Sequence, residues 1–169
     1  KKTIVAYTSS LDEHLGVKLA YEAQQDDLPL GVHQPFKDQI DWLGRLVDHC
    51  KNRDDLQLVV RVHPREGKNQ RDSVISDHLG QLHQKFANVG GNCRFVWPEE
   101  SISSYDLAEA ADLVLTSWST IGLELARLGI PVLAAFNRWY VSYPVDDFLE
   151  WASSDREYFR KMDRLLGKD

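Results

Sequence analysis

The chain has 169 residues, 43% of them apolar and 27% charged, and 20 Lys and Arg against 26 Asp and Glu give a net charge of −6. That balance belongs to a globular domain and argues against disorder, and the acidic total argues against a domain built to coat nucleic acid. The longest apolar runs are far short of a membrane span.

The opening Lys1–Tyr7 is too short in its apolar part for a signal peptide. The first residue is Lys, not Met, and the length suits one half of a two-domain enzyme. The expectation is a single domain over 1–169, excised from a longer two-domain protein. Cys50 and Cys93 have no CxxC spacing and read as two reduced thiols. His14, His33, His49, His63, His78 and His83 are scattered, with no metal-ligand spacing, so no metal is expected.

In chain order, Thr3–Thr8 reads as a buried strand ending in Thr8-Ser9-Ser10. Leu11 to Gln34 mixes acids, Gly and Pro and reads as a long loop with a helical turn or two. Phe36, Ile40, Leu43, Leu46, Val47 and Cys50 fall at helical spacing, predicting an amphipathic helix over 36–53. Leu56–His63 is the clearest strand, and Pro64 stops it. Val74, Leu79, Leu82 and Phe86 mark a helix over about 70–87, closed by Gly90-Gly91. Cys93–Trp97 is a third strand, ended by Pro98.

Ser104 reads as the N-cap of a short helix through Ala111. Asp112–Thr116 is a fourth strand. Ser119 or Thr120 opens a helix capped by Gly129, and Pro131–Phe136 is a fifth strand. The tail, from about Asp146 to Leu166, reads as helical. Alternating strands and helices, with continuously apolar strands, predict an α/β fold. Its form is a Rossmann-like, doubly wound parallel sheet of about five strands with helices on both faces.

In such a sheet ligands bind outside the carboxyl ends of the strands. Those ends carry hydroxyls, cations and aromatics, a set suited to a sugar and phosphate with a flat base attached. Between 61 and 71 stand Arg61, Arg65, Lys68 and Arg71 against one acid, Glu66, in a chain that is acidic overall. Arg61 and His63 share strand parity, and both groups suit phosphate oxygens. A solvated strand end pairing with a local acid is the alternative.

In Thr116–Glu124, small hydroxyl residues lie between an apolar strand and a helix start, where free N–H groups favour an anion. Ser119 and Thr120 can bind phosphate or cap the helix. Glu124 can take ribose hydroxyls or complement the helix dipole. Neither GxGxxG nor GxxxxGK[ST] is present. Six aromatics, Phe136, Trp139, Tyr140, Tyr143, Phe148 and Trp151, crowd the segment from 136 to 151. They read as core or as a surface that docks a partner domain.

The run Ser103–Glu124, with Gly129-Ile130-Pro131-Val132, resembles the donor-binding half of GT-B glycosyltransferases, above all the capsule and surface polysaccharide biosynthesis proteins. Arg61-Val62-His63-Pro64 resembles their R-hydrophobic-H-P element, and Tyr7–Glu13 their first strand and loop. Related runs occur in glycerophosphotransferases of teichoic acid synthesis and in sugar-nucleotide 2-epimerases.

The resemblance implies a metal-independent nucleotide-sugar transferase of bacterial surface polysaccharide synthesis, with the nucleotide-sugar donor as substrate and no cofactor. By position, Ser9, Ser10, Arg61, His63, Arg65, Ser117, Ser119 and Thr120 would meet phosphates or donor sugar, and Glu124 the ribose. Trp97, Pro98 and Tyr105 would lie near the base, and His63 is the candidate catalytic residue. A second, N-terminal domain would bind a glycan or lipid-linked acceptor. The full-length protein would be cytoplasmic, at the inner face of the membrane through peripheral association. The alternatives are a polyol-phosphate (CDP-glycerol-type) transferase domain and a non-catalytic Rossmann-like binding or assembly module. Trp118 departs from the family's small turn, as either an obstacle to close phosphate approach or a stacking face.

Overall fold

A computed structural model describes residues 1–22, 34–68, 76–136 and 149–167. Among these residues six parallel strands form one sheet: β1 (Lys2–Tyr7), β2 (Leu56–Arg61), β3 (Cys93–Val96), β4 (Leu113–Thr116), β5 (Val132–Ala134) and β6 (Glu150–Trp151). The order across the sheet is β3-β2-β1-β4-β5-β6. The chain winds outward from β1 in one direction, then returns to β4 on the other side of β1. The direction of winding therefore reverses between β1 and β4, and the crevice beyond their carboxyl ends is the topological switch point of a Rossmann-like sheet.

Strand parity sorts the core into two layers. Ile4, Ala6, Leu58, Val60, Leu113, Leu115 and Leu133 face α2 (Gln39–Cys50), α3 (Asp77–Phe86) and α6 (Asp155–Leu165). Val5, Tyr7, Val59, Val96, Val114, Val132 and Ala134 face α4 (Ser104–Glu109) and α5 (Ile121–Arg127). Apolar contact on both faces is why these strands read as continuous apolar runs. α6 is tied to α2 by the Trp42 indole N–H, which donates to the Tyr158 hydroxyl at 3.1 Å with both residues fully buried.

Several elements differ from their sequence reading. Leu11–Glu22 is a three-turn helix, α1, where a loop was expected. Its first N–H is held by a distant carboxylate, that of Glu66, which no local pattern announces. The tail is not helical throughout: Glu150 and Trp151 add a sixth strand, and α6 begins only at Asp155, capped by Ser154. Ser103, not Ser104, caps α4, accepting the N–H groups of Tyr105 and Asp106 at 3.2 and 3.3 Å. Residues 70–75 of the expected second helix and 137–148 of the aromatic segment, with Asp146 and Asp147, lie outside the described residues.

Cys50 and Cys93 are free and buried, and burial pushes the Cys50 thiol up to about 12. Among the described residues no helix is long and apolar enough to cross a membrane.

Candidate functional site

A cleft of about 230 Å³ opens at the switch point, lined by Tyr7, Thr8, Arg61, His63, Pro64, Ser104, Tyr105, Ser119, Thr120, Ile121 and Glu124. Four parts of the chain build it. The end of β1 supplies the floor, the end of β2 the cationic side, and the starts of α4 and α5 the hydroxyl and carboxylate side.

Arg61 is the last residue of β2 and is 5% exposed. Its Nη1 donates to the Trp97 carbonyl at 2.6 Å, and among the described residues its buried Nε has no hydrogen-bond partner. Burial lowers its pKa, against the opposing pull of Glu100, Tyr7 and Glu99. A guanidinium still keeps its proton at any ordinary pH. The result is a fixed, largely desolvated positive charge at the edge of the cleft, an arrangement that favours an incoming anion.

Two residues on, His63 lines the same cleft, while Val62 between them is fully buried in the core. The His63 backbone N–H donates to the Thr8 hydroxyl at 2.8 Å, and Thr8 N–H donates to the Arg61 carbonyl at 3.1 Å. His63 Nδ1 accepts the Arg65 N–H at 3.2 Å, which places the proton of the neutral ring on Nε2. At the floor, Tyr7 donates its hydroxyl to the Ser104 carbonyl at 2.6 Å, and burial raises its pKa.

The α5 side depends on Gly122. A Cβ there would stand 2.8 Å from Cγ2 of Thr116, so only glycine lets the helix lie this close to the end of β4. Thr116 Oγ1 in turn accepts the Ser119 N–H at 3.2 Å and fixes the turn. Thr120 occupies the N-cap position with helical dihedrals and makes no side-chain cap bond. Glu124, in the first turn of α5, accepts the Tyr105 hydroxyl on Oε2 at 2.5 Å. That bond and the carboxylate charge raise the Tyr105 pKa.

Behind the cleft lies a buried polar cluster that supports the turn carrying His63. Glu66, 1% exposed, accepts the Leu11 N–H on Oε1 at 2.8 Å. Gln39 accepts Ser9 N–H at 2.8 Å and donates to Ser9 carbonyl at 3.1 Å, which fixes its amide orientation. Its amide nitrogen also lies 3.0 Å from His78 Nε2, so that nitrogen accepts and His78 is neutral. Burial lowers the His78 pKa in the same sense.

Of the residues expected at the site, Arg61, His63, Ser119, Thr120, Glu124 and Tyr105 share the cleft. Ser9, Ser10 and Ser117 do not line it and are 3%, 1% and 0% exposed. The Ser9 hydroxyl accepts the Trp118 N–H at 3.1 Å, and the Ser117 hydroxyl is enclosed with no hydrogen-bond partner among the described residues. Arg65 is exposed on the 3₁₀ turn Pro64–Glu66, outside the lining. The Trp97 ring stacks on His83 with centroids 3.8 Å apart, and Pro98 faces a separate hollow with Gly67, Leu79 and His83.

Trp118 is half-buried and packs its ring edge-on to Phe136, 5.4 Å between centroids, against the core and outside the cleft lining. Tyr7, Thr8, Ser104 and Ile121 line the cleft without having been singled out as site residues. For Tyr7 a signal existed, because the last residue of β1 alternates with Ile4 and Ala6. Among the described residues no group of three or more His, Cys, Asp or Glu is placed to hold a metal ion.

No protein-family model and no curated protein matches the chain. Among solved structures, that of S. aureus MnaA with UDP shares its fold, with a TM-score of 0.55 and 17% identity. The match covers 99% of this chain and 40% of that one, so the chain spans about two fifths of that protein's length.

Proposed function

We propose that the chain is the nucleotide-sugar-binding domain of a GT-B-type glycosyltransferase of bacterial capsule or surface polysaccharide synthesis. The observation that carries this reading is Arg61: a buried guanidinium beside a switch-point cleft whose other side presents Glu124. A phosphate would sit against Arg61 and His63, and the ribose hydroxyls against Glu124. Glycosyl transfer builds negative charge on the leaving phosphate, and a preorganised cation in a desolvated site stabilises that charge. Arg61 would supply it, with His63 beside it in the lining.

The described lining encloses about 230 Å³, below the roughly 300–1,000 Å³ of pockets that surround a whole ligand. A nucleotide-sugar here would need a second wall, which supports a partner domain that brings the acceptor. The isolated chain is then expected to bind nucleotide and to transfer nothing.

The fold shared with a UDP-bound protein places uridine nucleotides first in a panel. Thermal unfolding of the chain with UDP, CDP, GDP and ADP tests the reading. One diphosphate at about a hundred times its Kd should add about 2.7 kcal/mol of stability. A CDP preference would favour the polyol-phosphate transferase, and no response to any nucleotide would favour the non-catalytic module.

A further inference from the structure

Tyr105 and Glu124 meet across two separate crossovers, one after β3 and the other after β4. The phenol donates to Glu124 Oε2 at 2.5 Å, and both side chains line the cleft. Tyr105 is 53% exposed, and Glu124 is exposed as well. Exposed polar pairs contribute little to folding, and holding a ring and a glutamate in one geometry costs rotamer freedom. The consequence of the bond therefore falls on the cleft rather than on the core.

The phenol has a single proton, and it is committed to Oε2. The pair as a unit then has no donor left to offer. It presents Glu124 Oε1, the remaining lone pair of Oε2 and the free lone pair of the phenolic oxygen. Such an edge disfavours phosphate and accepts hydroxyl groups. A lone glutamate turns freely about its last torsion and presents either oxygen. Tethered through Oε2, Glu124 presents Oε1 in one direction.

We propose that Tyr105 is a positioning and specificity-determining residue, and that the Tyr105–Glu124 pair is a recognition edge for two adjacent hydroxyls of the ligand. One hydroxyl donates to Glu124 Oε1 and the other to the phenolic oxygen of Tyr105. The inference rests on the nucleotide reading above, in which the diol belongs to the ribose. With the cation contributed by β2 and the acceptor edge by α4 and α5, the cleft is polar along its length. It takes a ligand one way round, anion toward Arg61 and diol toward Tyr105.

The test is calorimetric titration of the whole chain with UDP, CDP, GDP and ADP, followed by the 2′-deoxy form of the tightest binder. Parent, Tyr105→Phe, Glu124→Gln and the double variant are compared. The parent should prefer the ribonucleotide by about tenfold or more, the worth of one hydrogen bond to a charged group. Tyr105→Phe should weaken the ribonucleotide by about tenfold and the deoxy form by clearly less, narrowing the preference between them, because the deoxy form lacks one of the two hydroxyls that the pair engages. The double variant should bind the ribonucleotide little worse than Glu124→Gln alone, because the two residues act as a unit.

A readout without ligand checks the contact itself: by NMR of ring-labelled tyrosine, Glu124→Gln should bring the Tyr105 titration down toward the ordinary phenol range. Tyr105→Phe should unfold at the parent's temperature, since the ring stays and is exposed. If no nucleotide binds the parent, the nucleotide reading fails and this inference with it. If the parent prefers ribonucleotide and Tyr105→Phe keeps that preference, the role of Tyr105 is overturned while the nucleotide reading stands.

Discussion

The hydroxyl of Ser9 accepts the backbone N–H of Trp118 at 3.1 Å, tying the loop after β1 to the loop after β4 across the switch point. Ser9 is 3% exposed, and its backbone N–H and carbonyl are both engaged by Gln39. A hydroxyl at a strand end, in the position that a phosphate ligand would favour, is used to hold the mouth of the cleft in shape. Ser9→Ala removes that acceptor from a part-buried N–H. The expected cost is about 1–3 kcal/mol, read as a lower urea midpoint at unchanged slope. An unchanged midpoint would show that the bond contributes nothing.

Gly122 sets how closely α5 approaches β4. Gly122→Ala brings a methyl carbon to 2.8 Å from Thr116 Cγ2. Overpacking of this kind costs about 1–3 kcal/mol, and relief requires α5 to move, carrying Glu124 with it. Stability and nucleotide affinity should therefore fall together. Gly80, within α3, has nothing within 4 Å of an added Cβ. Gly80→Ala should stabilise the fold by about 0.5–1 kcal/mol and leave affinity alone. Equal behaviour of the two variants in chemical denaturation would contradict the packing argument.

His78 and His49 give the fold a pH dependence of definite sign. Burial lowers the pKa of His78, against the opposing charges of Glu66, Asp38 and Asp12. Burial likewise lowers that of His49, with Asp163 opposing and Arg53 reinforcing. Unfolded, both take up a proton near the ordinary value of about 6.5. On acidification the unfolded chain then binds protons before the folded one does, so stability present above that pH is lost as pH falls below it. Urea midpoints should drop from pH 7.5 to pH 5, and both imidazoles should titrate below the free value by NMR. A His78 midpoint above 6.5 would contradict the assignment.

Much of the fold was legible because its cause is local. Leu56–Arg61 and Leu113–Thr116 are buried almost throughout, and each pairs in parallel with β1, as an alternation of strands and helices predicts. α1 was not legible, because Gly16 and a mixed composition hide its period and its N-terminus is held by Glu66, 55 positions away in sequence. β6 has two residues, too few to show a period.

At the site, strand parity placed Arg61 and His63 together. Parity says nothing about whether a serine hydroxyl is turned toward a ligand or consumed by the fold. Ser9 and Ser119 read alike in the sequence, yet Ser119 lines the cleft and Ser9 is buried behind it. The tie between Tyr105 and Glu124 joins residues 19 positions apart on different helices, and only the packing of α4 beside α5 shows it.

The proposed function stands on the switch-point cleft binding the phosphate of a nucleotide through the buried guanidinium of Arg61. Calorimetric titration of UDP, CDP, GDP and ADP into the parent chain and into Arg61→Ala tests it most directly, with circular dichroism confirming that both are folded. At least one diphosphate should bind the parent, and Arg61→Ala should lose about 1.5–3 kcal/mol of that affinity, roughly tenfold to somewhat over a hundredfold in Kd. A parent that binds none of the four, or a folded Arg61→Ala variant that binds the same nucleotide with unchanged Kd, would contradict it.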